Sequence, residues 1–350
     1  MKTARAGFRT ACGPPRLARG AWLWAALLLG VAMPLAASGQ SAHVLVVTGV
    51  AGGPDYRARF AAWADTFLAA AREGGVAPEH IIYLAERPDQ VEGADGRSAA
   101  TELESAIERI RAAAAPGDRV FILLIGHGSF RDGEARFNLP GPDLTASRFA
   151  ELVGRLADQT VVFVNAASAS GPFVEALSGP GRVVVSATKT GRERNATVFA
   201  RYFTAAFRGG AADFDKDGRV SVLEAFRFAR LEVAREYEQD GRLVTEHALL
   251  DDDGDGHGSD ALTDGAPDGA RAGSLYLARA TGDRAAATGP VEPELRRLLD
   301  ERAALQRRVD ELRARRSEMS ADAYDRALEE ILVQLALVSR QIRQREGGGP

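Results

Sequence analysis

The stretch FILLIGHGSF, residues 121–130, is a continuous apolar run that ends in glycines on either side of His127. A second run, VFVNAASASGPF at residues 162–173, leads into a turn of small residues that contains Ser168 and Ser170. Continuous apolar runs of this length are typical of strands buried on both faces of a parallel sheet. The sequence therefore predicts two buried strands that end close to His127 and to Ser168.

Five runs of this kind lie in the first half of the chain: HVLVVTGV (43–50), HIIYLAE (80–86), RVFILLIG (119–126), TVVFVNA (160–166) and RVVVSAT (182–188). Amphipathic helical patterns that end in Gly or Pro-Gly separate them. This alternation predicts an α/β fold, a three-layer α/β/α sandwich with a mostly parallel sheet. Ligands of such sheets bind beyond the carboxyl ends of the strands, so we expect His127 and Ser168 to approach each other there. Helices are predicted at 196–208 and up to about residue 239, and a last strand at 273–279.

Residues 1–39 have the composition of a secretory signal peptide. Basic residues without any acidic one precede the apolar run AWLWAALLLGVAMPLAA, and small residues follow it. The alternative is a transmembrane anchor, but the run is shorter than the ~20 residues that span a bilayer. Export to the periplasm or the outside is therefore expected. The only cysteine, Cys12, leaves with the signal peptide, so a cysteine nucleophile is excluded.

The charge distribution excludes one class of partner. The formal net charge is -4, and basic residues do not gather into a stripe before the C-terminal region. We therefore expect no nucleic acid partner. Because no second long apolar run follows the signal peptide, we also expect no stable membrane span.

The C-terminal region has a different pattern from the rest of the chain. Residues 280–293 have the composition of a linker, and 294–345 predict a helical hairpin or coiled coil. Its apolar residues follow heptad-like spacings: Leu298, Leu305, Val309 and Leu312, then Tyr324, Leu328, Ile331, Leu335, Val338 and Ile342. We expect the two helices to pack on each other, and self-association through them is the alternative. Residues 346–350 are expected to be disordered.

The two strand-end motifs resemble those of the caspase-like and legumain-like cysteine peptidases. GHGS matches the family's histidine motif at His127, and SASG places Ser168 where the family has its cysteine. The resemblance covers about residues 42–210, within a domain expected at 42–279. It implies a caspase-like fold; if catalysis is retained, the backbone N–H groups near Gly128 and Ser168 would hold the oxyanion. An α/β-hydrolase is the nearest alternative, but its histidine follows the serine.

Replacement of the cysteine by serine leaves two hypotheses for the domain. A serine hydroxyl needs a positioned base, usually one oriented by a carboxylate, and only Asp132 and Glu134 lie near His127 in sequence. The first hypothesis is a pseudopeptidase that binds a peptide or protein partner. The second is an active peptidase in which Ser168 attacks and His127 acts as base. Apart from catalysis, His127 is also interpretable as a strand-end histidine bonded to backbone.

The segment DFDKDGRVSVLE, residues 213–224, fills every required position of an EF-hand calcium loop. Carboxylates fall at positions one, three, five and twelve, and a carbonyl and a hydroxyl at seven and nine. The expected ligands are Asp213, Asp215, Asp217, Arg219, Ser221 and Glu224. The alternative is a solvated acidic turn, but carboxylates this close repel one another unless a cation gathers them.

A second, partial calcium loop is predicted at residues 251–262. Its expected ligands are Asp251, Asp253, Asp255, the carbonyl of His257, and Ser259. Leu262 stands where the twelfth-position glutamate belongs, so Ser259, Asp260 or residues elsewhere would have to complete the site. Calcium is the expected cofactor of both loops, with a structural role. A third hypothesis follows, a calcium-dependent scaffold of the cell envelope.

Overall fold

The computed structural model describes residues 40–260, 262, 266–277, 293–316 and 319–346. The signal peptide predicted at 1–39 lies outside these residues, as do nearly all of the predicted linker and the last four residues of the predicted tail. Within the described residues, no helix has the length and apolar character that crossing a membrane requires.

Ten strands and eight longer helices are described, and short 3-10 turns connect some of them. The strands are β1 (Ala42–Thr48), β2 (Ile81–Ala85), β3 (Gly96–Arg97), β4 (Arg119–Ile125), β5 (Gly128–Arg131), β6 (Glu134–Phe137), β7 (Leu144–Thr145), β8 (Thr160–Asn165), β9 (Arg182–Ser186) and β10 (Leu249–Asp251). The helices are α1 (Pro54–Glu73), α2 (Ala100–Ala113), α3 (Ala146–Val153), α4 (Pro172–Leu177), α5 (Phe199–Ala206), α6 (Val222–Gln239), α7 (Pro293–Ala314) and α8 (Ala321–Glu346).

The predicted parallel sheet is confirmed. Seven strands pair in the order β10-β9-β8-β4-β1-β2-β3, and all neighbours are parallel except β10 and β9. The five predicted apolar runs form β1, β2, β4, β8 and β9. Their side chains are buried almost throughout, which explains why the runs are apolar at consecutive positions.

Two hydrophobic cores lie on opposite faces of this sheet. Alternate residues of each strand enter opposite cores; in β4, Phe121 belongs to one core and Ile122 to the other. Helices α1, α5 and α6 cover the first face, and α2, α3 and α4 cover the second. The domain therefore has helices on both faces of a mostly parallel sheet, as the alternation of strands and helices predicts.

Three features differ from the predicted pattern. A separate sheet of order β5-β6-β7 follows directly on β4, and its strands are too short to give an alternating signal. Strand β10 adds an antiparallel edge. Over its described residues, 273–277, the strand predicted at 273–279 is instead a single turn at Ala272–Ser274, followed by one bridge between Tyr276 and Ser221; residues 278 and 279 lie outside the described residues.

Helices α7 and α8 pack on each other through their apolar residues. Their shared core consists of Leu298, Leu299, Leu305, Val309, Ile331, Leu335, Val338 and Ile342. Two further apolar side chains of α8, Val333 and Leu337, stay more than half exposed on its other side. Seven of these eight residues belong to the predicted heptad-like set; Leu299 does not, and the predicted Leu312 and Leu328 are only partly buried.

Candidate functional site

The two sequence motifs meet at the carboxyl edge of the sheet. Strands β4 and β8 pair in parallel with Leu124 opposite Asn165, so the segments that follow them lie side by side. Ser168 Oγ accepts a hydrogen bond from the Gly128 N–H at 3.1 Å and donates one to the Gly128 carbonyl at 3.2 Å. A Cβ at Gly128 would lie 2.2 Å from the Ser168 carbonyl oxygen, so only glycine permits this approach.

This contact closes the turn around the serine. Ser168 is only 3% exposed, and its hydroxyl is engaged both as donor and as acceptor by one residue. The Gly128 N–H, expected to hold an oxyanion, is therefore bonded to the hydroxyl that would attack. A serine nucleophile needs its hydroxyl bonded to a base and this donor free for the substrate oxygen.

His127 makes different contacts from those of a catalytic base. Its ring bonds to the backbone of Ala51 and packs edge-on against Tyr56 and Phe60, with ring centroids 4.8 and 5.3 Å away. Burial lowers the pKa of His127 more than the Ala51 hydrogen bond raises it, which favours the neutral imidazole. Among the described residues, His127 bonds to neither Ser168 nor any carboxylate.

The two acidic residues near His127 in sequence face elsewhere. Glu134 accepts a hydrogen bond from the Ser147 hydroxyl and lies 3.6 Å from the Arg136 guanidinium. Asp132 sits in the β5–β6 turn with a φ of 54°, at the far end of that hairpin from His127. Neither carboxylate orients the imidazole.

Backbone contacts from the next loop fix the rest of the serine turn. Ala169 has a φ of 56°, a left-handed conformation that costs a non-glycine residue about 1–2 kcal/mol. Its N–H donates to the Glu193 carbonyl at 2.8 Å. Ser170, fully buried, accepts from the N–H groups of Ala187 and Thr188 at 3.1 and 3.2 Å. The turn is therefore strained but firmly held, and Ser170 has a structural role.

The first acidic loop gathers three carboxylates at the start of α6. Oxygens of Asp213, Asp215 and Glu224 lie within 4.8 Å of one another. Glu224 Oε2 accepts from both the N–H and the hydroxyl of Ser221, while its Oε1 accepts from the Phe214 N–H at 2.9 Å. A capping box thus places the twelfth-position carboxylate over the beginning of the loop.

The pKa and the hydrogen bonds of Asp213 indicate what this group of three carboxylates could bind. Burial, reinforced by the charges of Asp215 and Glu224, raises the pKa of Asp213 to about 6. Asp213 Oδ2 accepts from the Gly218 N–H, whereas its buried Oδ1 has no hydrogen-bond partner among the described residues. An acidic group with a buried oxygen lacking a hydrogen-bond donor, beside two further carboxylates, has the chemistry of a hard-cation ligand.

The fifth-position aspartate points away from the others. Burial raises the pKa of Asp217 to about 7, and the nearby charge of Asp215 adds to the effect. Asp217 Oδ2 lies 3.2 Å from the Arg219 guanidinium, which stacks 3.7 Å from the centre of the Tyr276 ring. Two of the predicted ligand residues, at positions five and seven, thus pair with each other.

The second acidic loop repeats the hydrogen bonds of the first. Asp251 Oδ2 accepts from the Gly256 N–H at 2.9 Å, and Asp253 Oδ1 accepts from the Asp255 N–H at 3.0 Å. Oxygens of these three aspartates also lie within 4.8 Å of one another. The exposed His257 bonds through Nδ1 to a backbone carbonyl.

Asp268 closes the second loop, and the motif did not predict it. Asp268 Oδ2 accepts from the Ser259 N–H at 3.1 Å and its hydroxyl at 2.6 Å, and Oδ1 accepts from the Asp252 N–H at 2.9 Å. Asp268 thus occupies the hydrogen-bonding position that Glu224 has in the first loop. No spacing rule reaches a residue nine positions beyond Ser259. The nearer candidate, Asp260, pairs instead with Lys189 at 3.4 Å.

Comparisons with known proteins add little. No protein-family model and no curated protein matches the chain. Among solved structures, the crystal structure of drICE is 9% identical, with a TM-score of 0.34 over 57% of this chain and 85% of that chain. A similarity of this size assigns neither a family nor an activity.

Proposed function

We propose that this chain is an exported, calcium-binding protein with a caspase-like or legumain-like peptidase fold that has lost catalysis and binds a peptide or protein partner. The order of the motifs around His127 and Ser168 supports the ancestry. Residues 1–39, with the composition of a signal peptide, support export to the periplasm or beyond.

The observation that carries the loss of catalysis is the closed contact between Ser168 and Gly128. The hydroxyl bonds to the Gly128 backbone at 3.1 and 3.2 Å, so it contacts no base among the described residues and the Gly128 N–H is not free for an oxyanion. His127 is bonded to Ala51. An active serine peptidase, the alternative, would require the turn to open and a carboxylate to reach the imidazole.

Calcium is the cation that the acidic loops fit best. The side chains that would hold it in the first loop are Asp213, Asp215 and Glu224, and all offer oxygen. The ion supplies positive charge, which would offset the burial of these carboxylates and fix the entry into α6. In the second loop Asp251, Asp253 and Asp255 offer the same oxygens. For an extracellular structural site, a Kd on the order of 10⁻⁴ to 10⁻³ M is adequate.

A calcium-dependent envelope scaffold is the second candidate, because the closed serine turn equally suits a protein with no peptide substrate. The two candidates differ in whether the mature protein binds peptides. In the scaffold, the α7–α8 pair would supply the assembly surface, and its exposed Val333 and Leu337 favour such a contact.

Peptide cleavage tests the loss of catalysis. The mature protein is incubated with a mixed peptide library in excess calcium, beside Ser168→Ala and Ser168→Cys. We expect no cleavage by the first two. Cleavage by the wild type that Ser168→Ala abolishes would establish a serine peptidase. Cleavage by Ser168→Cys alone would support the ancestry, because it shows that the site accepts a thiolate.

A further inference from the structure

A pocket of about 210 Å³ lies beside the serine turn, at the carboxyl end of β9. Its apolar wall consists of Ala187, Phe199, Val233 and Val244, and Arg230 and Glu246 supply its polar groups. Pockets that hold drug-sized ligands measure about 300–1,000 Å³, so this one has room for a single side chain. Its position fits the rule that ligands of such sheets bind beyond the strand ends.

The loop after β9 connects this pocket with the serine turn. The Glu193 carbonyl accepts from the Ala169 N–H in that turn. The Glu193 carboxylate accepts from the His247 N–H at 3.1 Å and lies 3.0 Å from His247 Nδ1. His247 also lines the pocket. The pocket thus belongs to the same edge and the same supporting loop as the candidate site.

Arg230 is a half-buried cation that lacks a counter-ion in the described structure. It makes no hydrogen bond or ion pair with another described residue, and the ring centre of Phe226 lies 5.8 Å from its guanidinium. Burial lowers the pKa of Arg230, and the more distant charge of Asp260 opposes this. Asp260 itself pairs with Lys189. Charged groups that lose hydration are usually paired, so Arg230 marks a place for an anion.

Glu246 does not neutralise Arg230, because its carboxylate has other partners. It accepts from the N–H groups of Val198 and Phe199 at 3.0 and 3.1 Å, and from the Tyr237 hydroxyl at 3.1 Å. These bonds fix the start of α5 against the segment 244–248. Glu246 therefore shapes the pocket, while the guanidinium of Arg230 stays available to a ligand.

We propose that this pocket binds the C-terminal residue of a peptide, with an aliphatic side chain against the apolar wall and the terminal carboxylate on Arg230. A C-terminal aliphatic residue carries both features within the volume of one residue. The planar guanidinium suits a carboxylate because it donates two parallel hydrogen bonds. This inference rests on the proposed peptide partner and specifies its chemistry.

Binding of two matched peptides tests the proposal. Acetyl-Ala-Ala-Leu with a free carboxylate and the same peptide as its amide are titrated into the full mature protein in calcium. We expect the amide to bind about 10- to 100-fold more weakly, the loss typical of a charged hydrogen bond. Arg230→Met should weaken the acid by a similar factor and leave the amide unchanged.

Two further variants distinguish peptide binding in the pocket from non-specific effects of a changed surface charge. Arg235→Met is the matched control, because Arg235 is exposed on the same helix and pairs with Glu232. Ala234→Trp, at an exposed position of the pocket wall, should abolish binding of the acid. Thermal unfolding checks that each variant folds.

The outcomes distinguish this inference from the proposed function. Equal binding of acid and amide, or an Arg230→Met variant with unchanged affinity for the acid, would overturn the pocket assignment. If other peptides of a mixed library then bind regardless of Arg230, the peptide-binding function stands and only the pocket is wrong. If no peptide binds the wild type, both fail and the scaffold is favoured.

Discussion

The two acidic loops share one hydrogen-bonding scheme but are completed in different ways. In both loops, the carboxylate at position one accepts a hydrogen bond from the N–H of the glycine at position six. The carboxylate at position three accepts one from the N–H of the aspartate at position five. The first loop is closed by Glu224, three residues after Ser221. The second is closed by Asp268, nine residues after Ser259. The closing carboxylate is thus defined by its place in space and can come from outside the motif.

The loops also differ in how they manage charge. In the first loop Asp217 is fully buried, and a cation of the same loop, Arg219, pairs with it. The second exposes Asp253, Asp255 and His257, so water screens their charges. The buried carboxylate of the first loop is thus paired with a cation, whereas the buried Asp251 and Asp252 of the second loop accept hydrogen bonds from backbone N–H groups.

Removing the seventh-position side chain should have the largest effect. In the Asp217–Arg219 pair, the Arg219 side chain is 8% exposed and that of Asp217 1%. Loss of one partner of a buried pair costs about 3–5 kcal/mol, so Arg219→Met should lower the free energy of unfolding by that amount. His257→Met, at the corresponding but exposed position of the second loop, should change it by less than about 0.5 kcal/mol.

Urea unfolding in calcium-free buffer measures both variants. A small effect of Arg219→Met, similar to that of His257→Met, would mean that burial does not distinguish the two loops.

Glu246 is a buried carboxylate outside both loops, and its pH-dependent contribution to stability can be compared with that of the loop carboxylates. Burial raises the pKa of Glu246 from 4.5 to about 7. Because the folded protein then binds the proton more tightly than the unfolded chain, the stabilisation is complete below about pH 4.5 and is lost as the pH rises to about 7. We expect a loss of about 3 kcal/mol across this window.

The free energy of unfolding is measured as a function of pH for the wild type and for Glu246→Gln. The difference between the two curves gives the contribution of Glu246. Glu246→Gln should flatten the pH dependence across this window, and Glu238→Gln, at an exposed position, should leave it unchanged. A Glu246→Gln profile that follows the wild type would assign the pH dependence elsewhere, the acidic loops included.

Measured calcium affinities allow a direct comparison of the two closing carboxylates, Glu224 and Asp268. Calorimetry of the wild type should show two ions. Glu224→Gln should weaken one of them about 100-fold, and Asp268→Asn should weaken the other about 10-fold. The controls are Glu232→Gln on α6 and Asp260→Asn beside the second loop. An Asp268→Asn variant that retains both affinities would show that Asp268 only organises the backbone.

The sequence predicted the sheet well because its strands are buried on both faces. Each of the five apolar runs became a strand, displaced by at most two residues at either end. Strand β10 was missed because three residues, Leu249 to Asp251, give no periodic signal, and its position depends on pairing with β9. Local pattern thus identifies central strands, and edge strands depend on tertiary contacts.

The candidate site was predictable only in part, for the same reason. The order of the motifs placed His127 and Ser168 beyond neighbouring strands, but the bond between Ser168 and Gly128 depends on how two loops stack. Asp268 and Arg230 belong to no motif. Their roles follow from burial and from partners far away in sequence, which spacing does not encode.

The smallest expected effect concerns the first carboxylate of each loop, and the two loops should respond with opposite signs. Without calcium, Asp213 has a buried oxygen that accepts no hydrogen bond from a described residue and lies beside the charges of Asp215 and Glu224. Asp213→Asn removes a charge from this group, so it should stabilise the calcium-free protein by about 1 kcal/mol. Asp251, by contrast, accepts hydrogen bonds with both oxygens, from the Gly254 and Gly256 N–H groups.

Because an amide offers one acceptor oxygen where the carboxylate has two, Asp251→Asn should leave one of these N–H groups unpaired and destabilise the calcium-free protein by about 1 kcal/mol. Excess calcium should reverse the sign for Asp213→Asn and deepen the loss for Asp251→Asn, since each variant then lacks a ligand. Urea unfolding with a chelator and with calcium gives all four values. The same sign for both variants in the chelator would mean that the orphaned oxygen of Asp213 does not distinguish the loops.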